Sequence, residues 1–195
     1  ENVTSIRTSE IGVELRFAYK EKFVEGNYYR TSLGTKYPIL KLYTGFGIRD
    51  LLGSDYSYQK VRFTLAHTQK IKRLGSLYFN IFAGKVFGTL PYPLLEVHPG
   101  NEFYYYDPHA FSMMYRYEYL SDIYAGFISE HSLGSLFFKY IPVIKKMRLR
   151  TFYNVKAVYG NISSQNQLLN FNNGYDFKSL TNSPYMEAGT GIENI

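Results

Sequence analysis

Four histidines, His67, His98, His109 and His131, are the first residues to test for chemistry, because imidazole binds metals and moves protons near neutral pH. Their spacing fits no ligand pattern, so each is expected to be an ordinary polar or loop residue. His131 directly follows Glu130. On a strand, neighbours point to opposite faces, so the two do not act together. Glu187 and Glu193 share a strand face but stand about 20 Å apart along an extended chain, too far for an acid–base pair. No glycine-rich phosphate loop, His-Glu-x-x-His or Gly-x-Ser-x-Gly occurs. Without cysteine, a disulfide scaffold, a Cys-ligated zinc and a thiol nucleophile are excluded. The expectation is a protein that is not an enzyme and carries no cofactor or metal. Two clusters remain. The run Lys145-Lys146-Met147-Arg148-Leu149-Arg150 suits anionic headgroups or phosphates, or a solvated turn. Tyr104-Tyr105-Tyr106 suits stacking on a sugar or base, or packing within a loop.

The elements that must position such residues follow from composition and period. The chain has 195 residues, 45% hydrophobic and 19% charged, the size of one domain or a piece of one. Its net charge of +6 would suit nucleic acid or an anionic membrane, but 16 acids are interspersed among 22 bases, and no nucleic-acid partner is expected. No apolar stretch reaches the roughly 18–20 residues of a membrane helix. Tyr and Phe, 21 and 15 of them, favour strands, and Tyr also favours membrane–water interfaces. The start at Glu1, without Met or a leader, leads us to expect the true N-terminus elsewhere.

Apolar residues alternate with a period of two almost throughout. Strands are predicted from Ile11 to about Phe23, Tyr37 to Arg49, Tyr56 to Ile71, Ser76 to Phe87, Asp122 to Leu133, Leu149 to Tyr159 and Tyr185 to Ile195. Gly26–Gly34 reads as a turn, Lys72–Gly75 as a tight hairpin connection, and Asn161–Ser183 as a polar loop. Gly88–Ala110 is a long connection holding Pro91, Pro93, Pro99 and Pro108, and Phe111–Tyr119 is either strand or ordered loop. No segment sustains a 3.6 period, so almost no helix is expected. The fold class is all-β, an antiparallel meander of long strands.

Strands of about 11–16 residues exceed the usual 5–6 of a soluble sheet and suit membrane strands. One face carries Val13, Leu15, Phe17, Val61, Phe63, Leu65, Leu77, Phe79 and Ile81, expected to meet lipid. The other mixes Gly and Tyr with charge, including Arg49, Arg62, Glu130, Lys156 and Glu187, expected to face a barrel lumen. A soluble sheet with one wet face is the competing reading.

Lys36-Tyr37-Pro38-Ile39-Leu40, Leu52–Tyr58 and above all Gly84–Asn101, with its Gly-Thr-Leu-Pro-Tyr-Pro-Leu-Leu-Glu-Val-His-Pro-Gly-Asn string, carry a resemblance over nearly the whole chain. They resemble the C-terminal barrel of a Bacteroidetes-type outer-membrane family of unknown function, whose members usually carry a carboxypeptidase-regulatory-like β-sandwich upstream. That family is more distantly similar to the surface-antigen and outer-membrane-assembly superfamily of barrels with about sixteen strands. There a long loop folds into the lumen. Leu90, Pro91, Pro99, Gly100 and Asn101 match the approach to it, but the Arg-Gly tip is absent; the nearest Arg is Arg116, followed by Tyr117.

The resemblance implies about seven strands of such a barrel, the strand before Gly88 being the eleventh. It also implies one partial domain over residues 1–195, incomplete at both ends, which is expected to aggregate or need a partner if expressed alone. Its implied partners are outer-membrane lipid and other envelope proteins, and its implied location is the outer membrane of a Gram-negative cell. The expected role is non-catalytic: envelope biogenesis or transport, or anchoring of a periplasmic domain. A passive channel for small solutes and a soluble β-sheet binding module are the alternatives. The connection after Phe87 is too apolar to wave in water, with Leu90, Tyr92, Leu94, Leu95, Val97 and Phe103. It is expected to fold back over the charged face, reversing at Pro99-Gly100-Asn101, where Arg49, Arg62 or Glu130 would bond its carbonyls, amides or Tyr hydroxyls; the alternative is an extracellular loop packed on its neighbours.

Overall fold

Alternation of apolar and polar residues builds one large sheet. In the computed structural model, the described residues are 5–101, 105, 107–134, 149–171 and 176–194. Seven strands pair antiparallel in the order β1 (Glu10–Ala18), β4 (Ile39–Gly47), β5 (Tyr58–Ile71), β6 (Gly75–Phe87), β9 (Ile123–Gly134), β10 (Leu149–Asn161) and β11 (Tyr185–Asn194). Each strand pairs with the next of this set along the chain, as short connections favour. β5, β6, β9 and β10 run 12 to 14 residues, about twice the length usual in soluble sheets. The chain is thus mostly antiparallel β, as the sequence predicts. No closed barrel is seen; the sheet is open, with β1 and β11 at its edges.

The registers sort the side chains onto two faces. Rows such as Tyr43–Arg62–Gly84–Tyr124–Gly160 and Glu130–Asn154–Gly189 lie on one face. Leu42–Phe63–Ala83–Ala125–Tyr159 lies on the other. The apolar face is bare: Val13, Leu15, Phe17, Leu42, Phe63, Ile81, Phe127, Val155 and Ile192 are all exposed, Leu15 by 63%.

Three expectations need correction. Gly26–Gly34 is not simply a turn; Lys22–Glu25 (β2) and Arg30–Gly34 (β3) pair as a small hairpin, and the first strand stops at Ala18 rather than near Phe23. Lys20, at positive φ of 49°, breaks the strand between them. The segment expected to be a wholly polar loop contains a helix, α1 (Ser164–Phe171). At eight residues it spans barely two turns, too short for a helical period to show in the sequence.

The packed core is not within the sheet but on its polar face. The connection from Gly88 to Asp122 folds back there as a lid. It holds a 3-10 turn, Tyr92–Leu94, and two short strands, β7 (Glu96–Val97) and β8 (Leu120–Ser121), which pair with each other and close its base. Leu90, Leu94, Leu95 and Leu120 pack with Tyr58, Val86, Ile162 and Phe177; deeper in, Phe111 and Met114 pack with Val158 and Leu180.

Candidate functional site

The site is the contact between the lid and the charged face. Its base is tied by Asn166 of α1, which is 1% exposed. The Asn166 amide oxygen accepts from Leu90 N at 2.8 Å, while its Nδ2 donates to Gly88 O at 3.1 Å and Asp122 Oδ2 at 3.0 Å. One side chain thereby grips both the start and the end of the lid. Asn170, one turn on, donates to Leu90 O at 3.0 Å, and Asp122 also accepts from Ser163 N at 2.8 Å. These bonds satisfy backbone groups that Pro91 and the irregular path leave outside any ladder.

Further in, Lys156 is fully buried beneath the lid. Its Nζ donates to Ala110 O and sits 3.4 Å from Ser112 Oγ and 3.5 Å from Glu187 Oε1. Glu187 in turn accepts from Ser112 N at 2.8 Å and Met113 N at 3.0 Å. A buried ion pair is tolerated only when hydrogen bonds satisfy its remaining atoms; here the lid backbone does so. A second tie is Arg62, which reaches Glu96 of β7 at 3.1 Å and donates to Tyr124 Oη at 3.2 Å. Beside it, His98 is buried, bonded to Ser121 Oγ at 2.9 Å and stacked edge-on to Tyr124. Burial pushes its pKa down to about 4, so it is neutral at pH 7.

Glycines on this face make room. A Cβ at Gly84 would lie 2.5 Å from the Tyr124 ring, and one at Gly126 would lie 2.3 Å from the Phe82 ring. The rings therefore lie across neighbouring strands, leaving height for the lid. Gly100 allows a similar approach within the lid, since its Cβ would sit 2.4 Å from Tyr115 O. Asn101 N donates to Met114 O and Phe111 N to Pro99 O, so Pro99-Gly100-Asn101 is zipped to the returning chain.

The structure brings together most, not all, of the predicted residues. Leu90 is buried, Pro91 leads into the 3-10 turn, and Arg62, Lys156 and Glu187 meet the lid. Glu130 stands on the same face in register with Tyr78 and Asn154. Arg49 does not join them: β4 ends at Gly47, and Arg49 lies exposed in the turn beyond it. Of the bonds expected from Arg62 to lid carbonyls, amides or Tyr hydroxyls, the lid partner found is the Glu96 carboxylate, and the Tyr hydroxyl it meets, Tyr124, belongs to β9. Asn166, Asn170 and Asp122 escaped the sequence reading; their signal is an Asn pair four residues apart, which shares one face only on a helix.

Of the remaining histidines, His67 stacks edge-on to Phe79 on the apolar face, His109 stacks edge-on to Tyr78, and His131 bonds Leu74 O. Among the described residues no group of acids and histidines is placed to hold a metal. Tyr105 is exposed; Tyr104, Tyr106 and Lys145–Arg148 lie outside the described residues. Beside the lid, a cavity of about 480 Å³ lined by Lys41, Tyr43, Arg62, Thr64, Tyr78 and Asn80 opens on the charged face.

The profile of one family, described as the C-terminal domain of a family of unknown function (DUF5686), matches residues 2–166. The chain belongs to that family. The match takes in the lid, α1's first residues and every main strand except β11. Among curated proteins and among solved structures, no match to this DUF5686 domain is found. The described site is a set of hydrogen bonds and ion pairs that brace the lid against the sheet.

Proposed function

We propose that this DUF5686 domain forms part of the wall of a β-barrel in the outer membrane of a Bacteroidetes-type cell, its bare face against lipid and its charged face lining a lumen plugged by the lid. Its role is non-catalytic, in envelope biogenesis or transport or in anchoring a periplasmic domain, with outer-membrane lipid and other envelope proteins as partners. The observation that carries the reading is the inversion of the usual order: the apolar face of a seven-stranded sheet is exposed from β1 to β11, while the charged face holds the buried core. Water penalises so extended an apolar surface, whereas lipid accepts it. The reading also requires further strands beside β1 and β11, because unpaired edges are untenable in lipid. Single cysteines at Phe63 and at its neighbour Thr64, in the full-length protein in native membranes, test it. A water-soluble thiol reagent is expected to spare position 63; ready labelling there sinks the reading.

The open cavity beside the lid favours a second reading, a passive channel for small solutes. Planar-bilayer conductance of the full-length protein, with and without Leu90–Tyr106, separates the two. Conductance only after deletion marks a plug, and conductance in the intact protein marks a channel.

A further inference from the structure

The two ends of the strands carry opposite charge. At one end lie residues 19–38 and the turn 72–74. They hold six basic residues (Lys20, Lys22, Arg30, Lys36, Lys72 and Arg73) against two acids, Glu21 and Glu25. At the other end lie residues 48–57, the lid and the segment from β10 to β11. Their described residues hold three basic residues (Arg49, Arg116 and Lys178) against seven acids. Among the described residues, one rim thus carries a net charge of +4 and the other a net charge of −4.

Ion pairing sharpens the difference. Glu21 is taken by Arg16 at 2.6 Å, and Glu25 by Arg30 at 3.2 Å. Lys20, Lys22, Lys36, Lys70, Lys72 and Arg73 remain exposed and make no ion pair among the described residues. At the opposite end Lys178 is held by Glu118 at 2.7 Å. The basic rim is also where aromatic and apolar side chains stand free. Tyr19 and Tyr37 stack edge-on with centroids 4.9 Å apart, and Tyr28, Tyr29, Phe23, Leu33 and Leu74 are exposed. Lys20 lies over the Tyr19 ring. Tyrosines interleaved with unpaired lysines, continuous with a bare apolar face, match the chemistry of a headgroup layer.

We propose that this rim binds the phosphates of anionic lipid headgroups, which hold the β2–β3 hairpin and the Lys72–Leu74 turn against the bilayer surface. The inference rests on the membrane reading above and adds its lipid partner and the end that faces it. The occupant is a phosphate layer rather than a soluble protein, because the basic charge sits at the border of the apolar face. Phosphate oxygens accept from lysine ammonium groups as point charges and from Arg73 through two parallel bonds.

The test uses the full-length protein in phosphatidylcholine vesicles with and without phosphatidylglycerol. Resistance to alkaline extraction from pure phosphatidylcholine reads the membrane assignment alone. Retention of phosphatidylglycerol, followed by native mass spectrometry, reads the rim. Wild-type protein is expected to enrich phosphatidylglycerol, and about 0.5 M salt should abolish the enrichment because screening there acts within a few ångströms. Changing Lys20, Lys22, Lys36, Lys70, Lys72 and Arg73 to Gln should lower retention about tenfold or more. Arg49→Gln with Arg116→Gln and Lys178→Gln at the acidic end should leave it unchanged. Should the sixfold variant misfold, Lys72→Gln with Arg73→Gln on the tight turn should still lower retention about two- to threefold. No enrichment by an extraction-resistant wild type, or equal retention by the rim variants, overturns the proposal while sparing the membrane reading. Release from phosphatidylcholine by alkali overturns both.

Discussion

The two faces of this sheet differ in what a substitution would disturb. On the covered face, side chains such as Asn166, Lys156 and Arg62 meet specific partners in the lid. On the bare face, side chains meet only neighbours on the same sheet, such as His67 against Phe79, and their cost or benefit is set mainly by the surroundings. The contrast teaches that the stability of the lid and the placement of the sheet are separable properties, carried by alternate residues of the same strands.

The largest expected effect is on the covered face. Lys156→Met in the full-length protein leaves Glu187 without its buried cation and the Ala110 carbonyl without a donor. We expect a loss of about 3–5 kcal/mol in denaturant unfolding. If the loss is below about 1 kcal/mol, the lid does not depend on this pair and the two faces are less different than they look.

Next comes the bare face. Phe63→Arg is expected to cost about 2–4 kcal/mol in a bilayer if the position lies near its midplane. Thr64→Arg, one residue on and on the charged face, should cost far less. Equal costs for the two would erase the distinction between the faces. Asn166→Ala sharpens the covered side further. It strips the Leu90 amide and Asp122 of buried partners and should cost about 1–3 kcal/mol, read together with faster proteolysis of the lid.

The smallest effect is a pH dependence confined to the covered side. Burial depresses His98 from about 6.5 in the unfolded chain to about 4. Between those values the unfolded state binds the proton and the folded state does not, so stability falls as pH drops. The loss should reach about 1 kcal/mol by pH 5.5 and continue toward pH 4. His98→Gln, which keeps a partner for Ser121, should flatten that slope in equilibrium unfolding.

Much of this was legible in the sequence because a period of two is long-lived. Six of the seven main strands lie close to where alternation puts them, the first stopping early at Ala18, and the apolar run from Leu90 to Val97 announced a segment that had to be covered. Arg62, Lys156 and Glu187 were legible as inward charges on the same grounds. What escaped depends on contacts between distant residues. The β2–β3 hairpin is short and exposed on both strands, so it has no buried face to impose a pattern. The helix is polar along most of its length and exists to present Asn166 and Asn170, a purpose visible only once the lid stands beside it. Arg49 misled because alternation counted from β4 continues on paper past Gly47, where the chain has already turned.

The clasp at Asn166 also dictates an order of events. Neighbouring strands of the sheet close shorter loops, the longest being the lid itself between β6 and β9. The lid cannot be secured that way: Leu90 waits for Asn166 and Asn170, 76 and 80 residues downstream, and Ser112 for Glu187, a further 75 residues on from its own position. Closing loops of that length is slow relative to hairpin formation. The lid must therefore be the last piece fastened, and until β10, α1 and β11 arrive the charged face stands open during assembly.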